Sequence, residues 1–146
     1  MKEGNYYSIK LFDDIYNLIL HRTVTACGLM GRCQVQYVIE ADGSVYPCDF
    51  YVLDEYRMGY IQEKTLKELF QQPITFDFLA EPRDMSSYCL TCPFQSICCG
   101  GCKRMKDSMY VSKEHDFCGY QVILSLFINH LDEIQQAVNR LQSIPL

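Results

Sequence analysis

Five of the nine cysteines in this 146-residue chain lie within fourteen residues, from Cys89 to Cys102. A C-x2-C opens the stretch, a C-x5-C follows it, and a C-x3-C closes it. The stretch has no apolar periodicity that predicts a helix or a strand. Thiols this dense must be bound to something. The candidate chemistries are disulfide formation, zinc binding and iron–sulfur cluster binding.

The composition favours metal over disulfides. The first residues lack the apolar segment of a signal peptide, and no run of eighteen apolar residues predicts a membrane span. We therefore expect a cytoplasmic protein with no membrane partner, in which thiols stay reduced. An odd number of cysteines also leaves one thiol over in an all-disulfide scheme. The net charge of −5 argues against a nucleic-acid partner.

A β-hairpin is predicted between the remaining thiols. Residues 34–40 alternate apolar and polar side chains, Asp42 and Gly43 give a turn signal, and a return strand begins at Val45. The thiols nearest the hairpin lie away from its turn. Three thiols are therefore expected near one point: Cys27, Cys33 and Cys48. A four-thiol metal site needs one more ligand from elsewhere.

Helices are predicted on both sides of these thiols. Residues 8–21 predict an amphipathic helix with Ser8 as its N-cap. Residues 65–68 form a capping box that opens a short helix. An apolar stripe predicts one helix over residues 116–141, with Cys118 at its start. The expected fold class is α+β: a small metal-stapled domain with one β-hairpin, a loop-rich cysteine region and flanking helices.

Eight of the cysteines can be grouped as two sets of four. One set contains Cys27, Cys33, Cys48 and a later thiol. The other contains Cys89, Cys92, Cys98 and a fourth thiol. Spacing leaves open whether Cys102 or Cys118 completes a given set. It also leaves open whether iron–sulfur clusters or zinc occupy them, because zinc accepts the same four thiolates. A zinc-stapled interaction module is therefore an alternative.

The cysteine pattern resembles that of the SPASM domain of radical SAM peptide-modifying enzymes. The pattern C-x9-15-G-x4-C, a gap, C-x2-C-x5-C-x3-C, a gap and C is met by Cys33, Gly43, Cys48, Cys89, Cys92, Cys98, Cys102 and Cys118. Cys27 and the segment 42–52 are similar to those of anaerobic sulfatase-maturating enzymes, as are Met58-Gly59-Tyr60-Ile61 and residues 98–102. The resemblance extends over nearly the whole chain.

This resemblance implies two auxiliary [4Fe-4S] clusters. It assigns the first to Cys27, Cys33, Cys48 and Cys102. It assigns the second to Cys89, Cys92, Cys98 and Cys118. It further implies electron transfer and substrate docking during conversion of a sulfatase Cys or Ser to formylglycine, with Asp49 as the general base that deprotonates the substrate. Cys99 departs from the pattern and is expected not to be a ligand.

The C-x3-C-x2-C motif of a radical SAM core is missing from the sequence. We therefore expect that the chain alone does not cleave S-adenosylmethionine, which would bind only in the missing core. Residues 1–24 are expected to lead in from that core, and residues 25–146 to form the SPASM domain. The expected partners are the radical SAM core and a sulfatase peptide. A SPASM domain serving another peptide modification is a second alternative.

Overall fold

The computed structural model describes residues 7–82, 85–105 and 117–142, and this part of the chain combines helices with a small antiparallel sheet. The α-helices are α1 (Lys10–His21), α2 (Leu66–Phe70), α3 (Pro73–Ala80), α4 (Ser87–Leu90), α5 (Gln95–Cys98), α6 (Gly119–Asn129) and α7 (Leu131–Gln142). The strands are β1 (Val38–Ile39), β2 (Ser44–Tyr46) and β3 (Gly59–Tyr60). This arrangement confirms the α+β fold class. Within the described residues, no helix is both long and apolar enough to cross a membrane.

The chain divides into two units. The thiol-rich unit comprises Met1–Gly31 and Ser86–Leu146, and the sheet unit comprises Arg32–Met85. Each unit has its own apolar core, built from buried side chains. The thiol-rich unit buries Ile15, Leu18, Leu29, Cys118, Tyr120, Leu124 and Phe127. The sheet unit buries Val45, Met58 and Leu69.

Helix α1 packs against α6 in the thiol-rich unit, and the Phe12 and Phe127 rings meet edge to face with their centroids 5.5 Å apart. The prediction that Ser8 caps α1 is wrong. Ile9 holds the N-cap position without a side-chain hydrogen bond, while the Ser8 hydroxyl donates to the Asp13 carboxylate. The serine is thus engaged by a side chain and leaves the first amides of the helix uncapped.

The single helix predicted over residues 116–141 is wrong, because the chain forms α6 and α7 with a break at His130 (φ −116°, ψ 21°). Acidic residues Asp132 and Glu133 occupy the first turn of α7, where the positive end of a helix dipole favours them. The His130 ring lies against Glu133, with Nδ1 3.4 Å from Oε1. The acidic first turn and the His130–Glu133 contact therefore favour the start of a new helix at Leu131. The apolar stripe continues across the break.

The sheet runs in the order β1-β2-β3, and both strand pairs are antiparallel. The predicted hairpin is present, with Val38 opposite Tyr46 and a turn at Gly43, whose φ is +85°. Strand β1 is shorter than the alternation of residues 34–40 predicts, because Tyr37 takes a left-handed conformation (φ 54°) that interrupts it. Strand β3 was not expected and pairs Gly59 with Val45.

Helix α2 packs against the apolar core of the sheet unit through Leu69. The predicted capping box is confirmed: the Glu68 amide donates to Thr65 Oγ1 at 3.3 Å, and the Thr65 amide donates to Glu68 Oε2 at 2.8 Å. Leu69 is fully buried and packs with Val45 and Met58. The box therefore fixes the start of a helix whose one buried side chain completes the core of the sheet unit.

Candidate metal centre

One pocket in the thiol-rich unit brings together the four thiols of Cys89, Cys92, Cys98 and Cys118. Helix α4 carries Cys89, the C-terminal end of α5 carries Cys98, and Cys118 is the N-cap of α6. The remaining walls are Tyr88, Gln95, Gly100, Tyr120, Gln121 and Leu124. Short turns produce this convergence. The Cys92 amide donates to the Cys89 carbonyl at 3.3 Å, and the Cys98 amide donates to the Phe94 carbonyl at 3.0 Å.

The thiols in this pocket influence one another electrostatically. Burial raises the pKa of the Cys98 thiol to about 11, and the nearby thiols of Cys92, Cys118 and Cys89 also raise it, against a hydrogen bond from the Gly100 amide that lowers it. Four thiolates in one partly buried pocket repel each other unless a positive charge offsets them. Deprotonation of these thiols therefore requires bound positive charge, which the iron of a cluster would supply.

A main-chain amide donates to one of these sulfurs. The Gln121 amide donates to Cys118 Sγ at 3.4 Å. Cys118 caps a helix of eleven residues, so its sulfur also lies at the positive end of the α6 dipole. Both features favour negative charge at this sulfur, as thiolate ligation of iron requires.

Cys27 and Cys102 lie on two segments of the thiol-rich unit that face each other. Cys27 begins a 3-10 helix that extends to Met30 and contacts α5. A Cβ built on Gly28 would lie 2.8 Å from the Cys102 Cβ and 3.7 Å from its Sγ. A Cβ on Gly31 would lie 2.7 Å from the Cys98 carbonyl oxygen. The segment after Cys27 therefore packs directly on the segment from Cys98 to Cys102.

Cys33 and Cys48 belong to the sheet unit. The Gln36 amide donates to the Pro47 carbonyl at 2.8 Å, which extends the pairing of the hairpin away from its turn. Cys48 directly follows that contact, and Cys33 precedes Gln36 by three residues. Both thiols thus lie toward the open end of the hairpin.

Asp49 directly follows Cys48 and begins a 3-10 helix that extends to Tyr51. Its side chain is exposed. Oδ1 accepts from the Cys48 thiol at 3.3 Å and from the Phe50 amide at 3.0 Å. These local hydrogen bonds hold the carboxylate beside the thiol while leaving the side chain accessible to solvent.

Cys99, His21 and His130 are not among the residues that line the four-thiol pocket. Cys99 adopts a left-handed conformation (φ 46°) as the C-cap of α5, and its thiol donates to the Ser96 carbonyl at 4.0 Å. His21 is exposed in the last turn of α1, and the side chain of His130 is 51% exposed. His115 lies outside the described residues.

Sequence patterns did not reveal a pair of polar side chains in the pocket that bond each other. Tyr88 and Gln121 line it together with the thiols, and the Tyr88 hydroxyl donates to Gln121 Oε1. The available signal was positional: Tyr88 precedes Cys89, and Gln121 lies three residues after Cys118. Their contact spans 33 positions, so local sequence patterns do not reveal it.

The donor set fits an iron–sulfur cluster. Four cysteine thiolates are the usual ligands of a [4Fe-4S] cluster, and amide donors to the sulfurs are typical of such sites. None of the nine cysteines, all of which lie within the described residues, forms a disulfide bond. Among the described residues, no group of three or more His, Cys, Asp or Glu side chains is placed to hold one metal ion.

Comparison with known proteins also relates this chain to iron–sulfur proteins. The profile of the SPASM family, an iron–sulfur cluster-binding domain, matches residues 27–93. The chain is 42% identical over 118 residues to the cysteine-type anaerobic sulfatase-maturating enzyme of Clostridium novyi, covering 80% of this chain and 32% of that protein. It is 45% identical over 105 residues to the enzyme of the same name from Clostridium perfringens strain 13, covering 72% and 28%.

A solved structure is also similar. Native anSMEcpe with bound AdoMet and Kp18Cys peptide aligns with a TM-score of 0.70 at 35% identity, covering 95% of this chain and 38% of that one. The chain spans about a third of the length of the curated Clostridium novyi relative that it matches. With four of its thiols gathered in one pocket, this chain belongs to the SPASM family of iron–sulfur cluster-binding domains.

Proposed function

We propose that this chain is the auxiliary-cluster domain of an anaerobic sulfatase-maturating enzyme and that it holds two [4Fe-4S] clusters. The observation that carries the proposal is the pocket lined by four thiols, in a chain that matches the SPASM profile and is similar to enzymes of that name. The second cluster is assigned to Cys89, Cys92, Cys98 and Cys118. The first is assigned to Cys27, Cys33, Cys48 and Cys102.

The two ligand sets have different support. The four thiols of the second set line a single pocket of the thiol-rich unit. For the first set, Cys27 and Cys102 belong to the thiol-rich unit and lie on facing segments. Cys33 and Cys48 belong to the sheet unit and lie toward the open end of its hairpin. The assignment of these four to one cluster rests on the resemblance of their spacing to the SPASM pattern.

The proposed role is electron transfer. Four cysteine ligands leave no cluster iron open to a substrate, so binding of the substrate at iron is not expected. When bound, each cluster supplies a one-electron acceptor. The chain's own residues hold the thiols, donate an amide hydrogen bond to the Cys118 sulfur and wall the second site with Tyr120 and Leu124.

Asp49 is proposed as the general base for the Cys or Ser of a sulfatase peptide. Its support is its position beside Cys48, its exposed side chain and the Phe50 amide that donates to Oδ1 and orients it whether or not Cys48 binds iron. A general base must be accessible to its substrate and held in a fixed orientation. The proposed partners are this peptide and a radical SAM core domain, to which residues 1–24 would lead. S-adenosylmethionine would bind in that core, and the proposed location is the cytoplasm.

Reconstitution with iron and sulfide under anaerobic conditions tests the clusters. We expect about eight iron and eight sulfide per chain, with a brown colour that fades on reduction. Cys92→Ser should lower the iron content by about half. Stoichiometric zinc with no uptake of iron would instead support a zinc-stapled module and reject the proposal.

The base is tested in the longer enzyme that carries the radical SAM core. Asp49→Asn keeps the shape of the side chain and removes its basicity, so turnover of a sulfatase-motif peptide should fall by at least about a hundredfold. Iron content should stay at the wild-type level. Full turnover by Asp49→Asn would reject the assignment, and Asp54→Asn, at an exposed carboxylate in the same unit, is the matched control.

A further inference from the structure

Gln121 is hydrogen-bonded to two sides of the four-thiol pocket. Its main-chain amide donates to Cys118 Sγ at 3.4 Å. Its side-chain Oε1 accepts from the hydroxyl of Tyr88, the residue before Cys89 in α4. Gln121 therefore links Cys118, the N-cap of its own helix, to α4, the helix that carries Cys89.

Packing alone does not explain this pair. The Tyr88 ring packs against the apolar core of the thiol-rich unit, but its hydroxyl and the Gln121 carboxamide meet in a pocket walled mainly by thiols and apolar side chains. Polar groups in such surroundings are stabilised by bonding each other. Removing the hydroxyl leaves the Tyr88 ring in place and deprives Gln121 Oε1 of this donor.

The geometry connects the pair to the charge at the sulfurs. Reduction adds negative charge to a cluster, so an amide that donates to a ligating sulfur stabilises the reduced state and raises the reduction potential. The amide that donates to Cys118 belongs to Gln121, whose side chain is held by Tyr88. Loss of the Tyr88 hydroxyl therefore removes a hydrogen bond that holds the first turn of α6 in place. The Gln121 amide is then held less firmly against the Cys118 sulfur.

We propose that Tyr88 and Gln121 are a positioning pair that fixes α4 to the first turn of α6 and thereby raises the reduction potential of the cluster bound by Cys89, Cys92, Cys98 and Cys118. This inference rests on the proposed function, because it requires a cluster at these four thiols. Neither side chain is assigned a part in the chemistry at the substrate.

The test uses the chain reconstituted with iron and sulfide, as wild type and as Tyr88→Phe, Gln121→Ala and the double variant. Tyr16→Phe is the control, because it removes a hydroxyl from another half-buried tyrosine that packs on the same core. Iron is counted, and the midpoint potentials are measured by EPR-monitored titration. We expect one midpoint potential to fall in each single variant, while the other midpoint and those of Tyr16→Phe stay unchanged.

The double variant gives a second criterion. Because the hydroxyl and the carboxamide act through one shared hydrogen bond, its midpoint should fall no further than that of the more affected single variant. Selective loss of about four iron from Tyr88→Phe, with Tyr16→Phe fully loaded, would also support the pair as a positioning device. The midpoint is then measured in Gln121→Ala.

Unchanged midpoints in both single variants at full iron content would overturn the inference, as would additive shifts or an equal shift in Tyr16→Phe. A wild-type chain that takes up no iron would overturn both this inference and the proposed function. The iron content of the wild type therefore separates failure of the function from failure of the pair alone.

Discussion

A Cβ on Gly28 would lie 2.8 Å from the Cβ of Cys102, closer than side-chain carbons normally approach each other. Gly28 does not have a positive φ, so an alanine there is excluded by the space and not by the backbone conformation. The absence of a side chain at position 28 is therefore what lets the segment after Cys27 reach the segment that carries Cys102.

We predict that Gly28→Ala forces these two segments apart and lowers the iron content by about half, because Cys27 and Cys102 are proposed ligands of one cluster. Iron analysis and the EPR spectrum of the reduced protein measure the loss. Gln135→Ala, at an exposed position of α7, should keep all the iron. A fully loaded Gly28→Ala protein would mean that the segments can separate without loss of ligation.

Asp14 is predicted to stabilise the segment that leads to Cys27. Its side chain is only 4% exposed and accepts from Thr25 Oγ1 at 2.8 Å, from the Thr25 amide at 3.3 Å and from the Lys10 ammonium. Asp14→Asn should lower the free energy of unfolding by about 1.5–3 kcal/mol, the usual range for hydrogen bonds to a charged group. Urea unfolding measures the difference, and Asp77→Asn, at an exposed carboxylate, should change stability by less than about 0.5 kcal/mol.

The pH dependence of this effect has a definite sign. Burial raises the pKa of Asp14, but hydrogen bonds from Lys10 and Thr25 outweigh it and leave the pKa below the usual 3.8. A lowered pKa contributes stability that is complete above 3.8 and is lost as the pH falls through the folded value. The difference between wild type and Asp14→Asn should therefore be constant from about pH 8 to about pH 5. A difference that shrinks across this range would contradict the assignment.

Cys99 is predicted not to be a ligand, although it adjoins Cys98. Cys99→Ser should retain about eight iron, whereas Cys98→Ser should lose about four. Cys99→Gly should in addition raise stability by about 1 kcal/mol, because its left-handed backbone (φ 46°) is unfavourable for a residue with a Cβ. Iron analysis and thermal unfolding measure these effects. Loss of iron from Cys99→Ser would show that the thiol ligates after all.

The capping box at Thr65 is predicted to stabilise the sheet unit locally. Thr65→Ala removes the acceptor of the Glu68 amide and should cost about 1 kcal/mol, while Thr65→Ser should keep most of the stability. Hydrogen exchange of the Leu69 amide, which donates to the Thr65 carbonyl at 2.9 Å, measures the effect within this unit. Equal exchange rates in Thr65→Ala and wild type would show that packing of Leu69 alone holds α2.

The sequence predicted features that short-range rules determine. The Asp42–Gly43 turn needs a residue that tolerates positive φ, and the Thr65–Glu68 box needs two side chains three positions apart. Both are confirmed. The spacing also grouped Cys89, Cys92 and Cys98, because three thiols within ten residues of a turn-rich segment lie close together in most conformations of that segment. The choice of Cys118 as their fourth partner came from the family resemblance, and the structure places it in the same pocket.

Features that depend on distant partners escaped sequence analysis. Strand β3 has only two residues and exists because Gly59 and Tyr60 pair with β2. The Tyr88–Gln121 contact joins residues 33 positions apart. The break at His130 falls inside a continuous apolar stripe, where periodicity alone favours an uninterrupted helix.

The Cys118 sulfur has a consequence for oxygen sensitivity. The same atom that is proposed to ligate iron also accepts the amide that caps α6, and α6 supplies Tyr120, Leu124 and Phe127 to the core. Oxidation of this sulfur to a sulfinic acid would remove a cluster ligand and disturb the start of the helix in one event. Damage at this sulfur would thus disturb folding together with redox function, and refilling the site with iron would not by itself restore the protein.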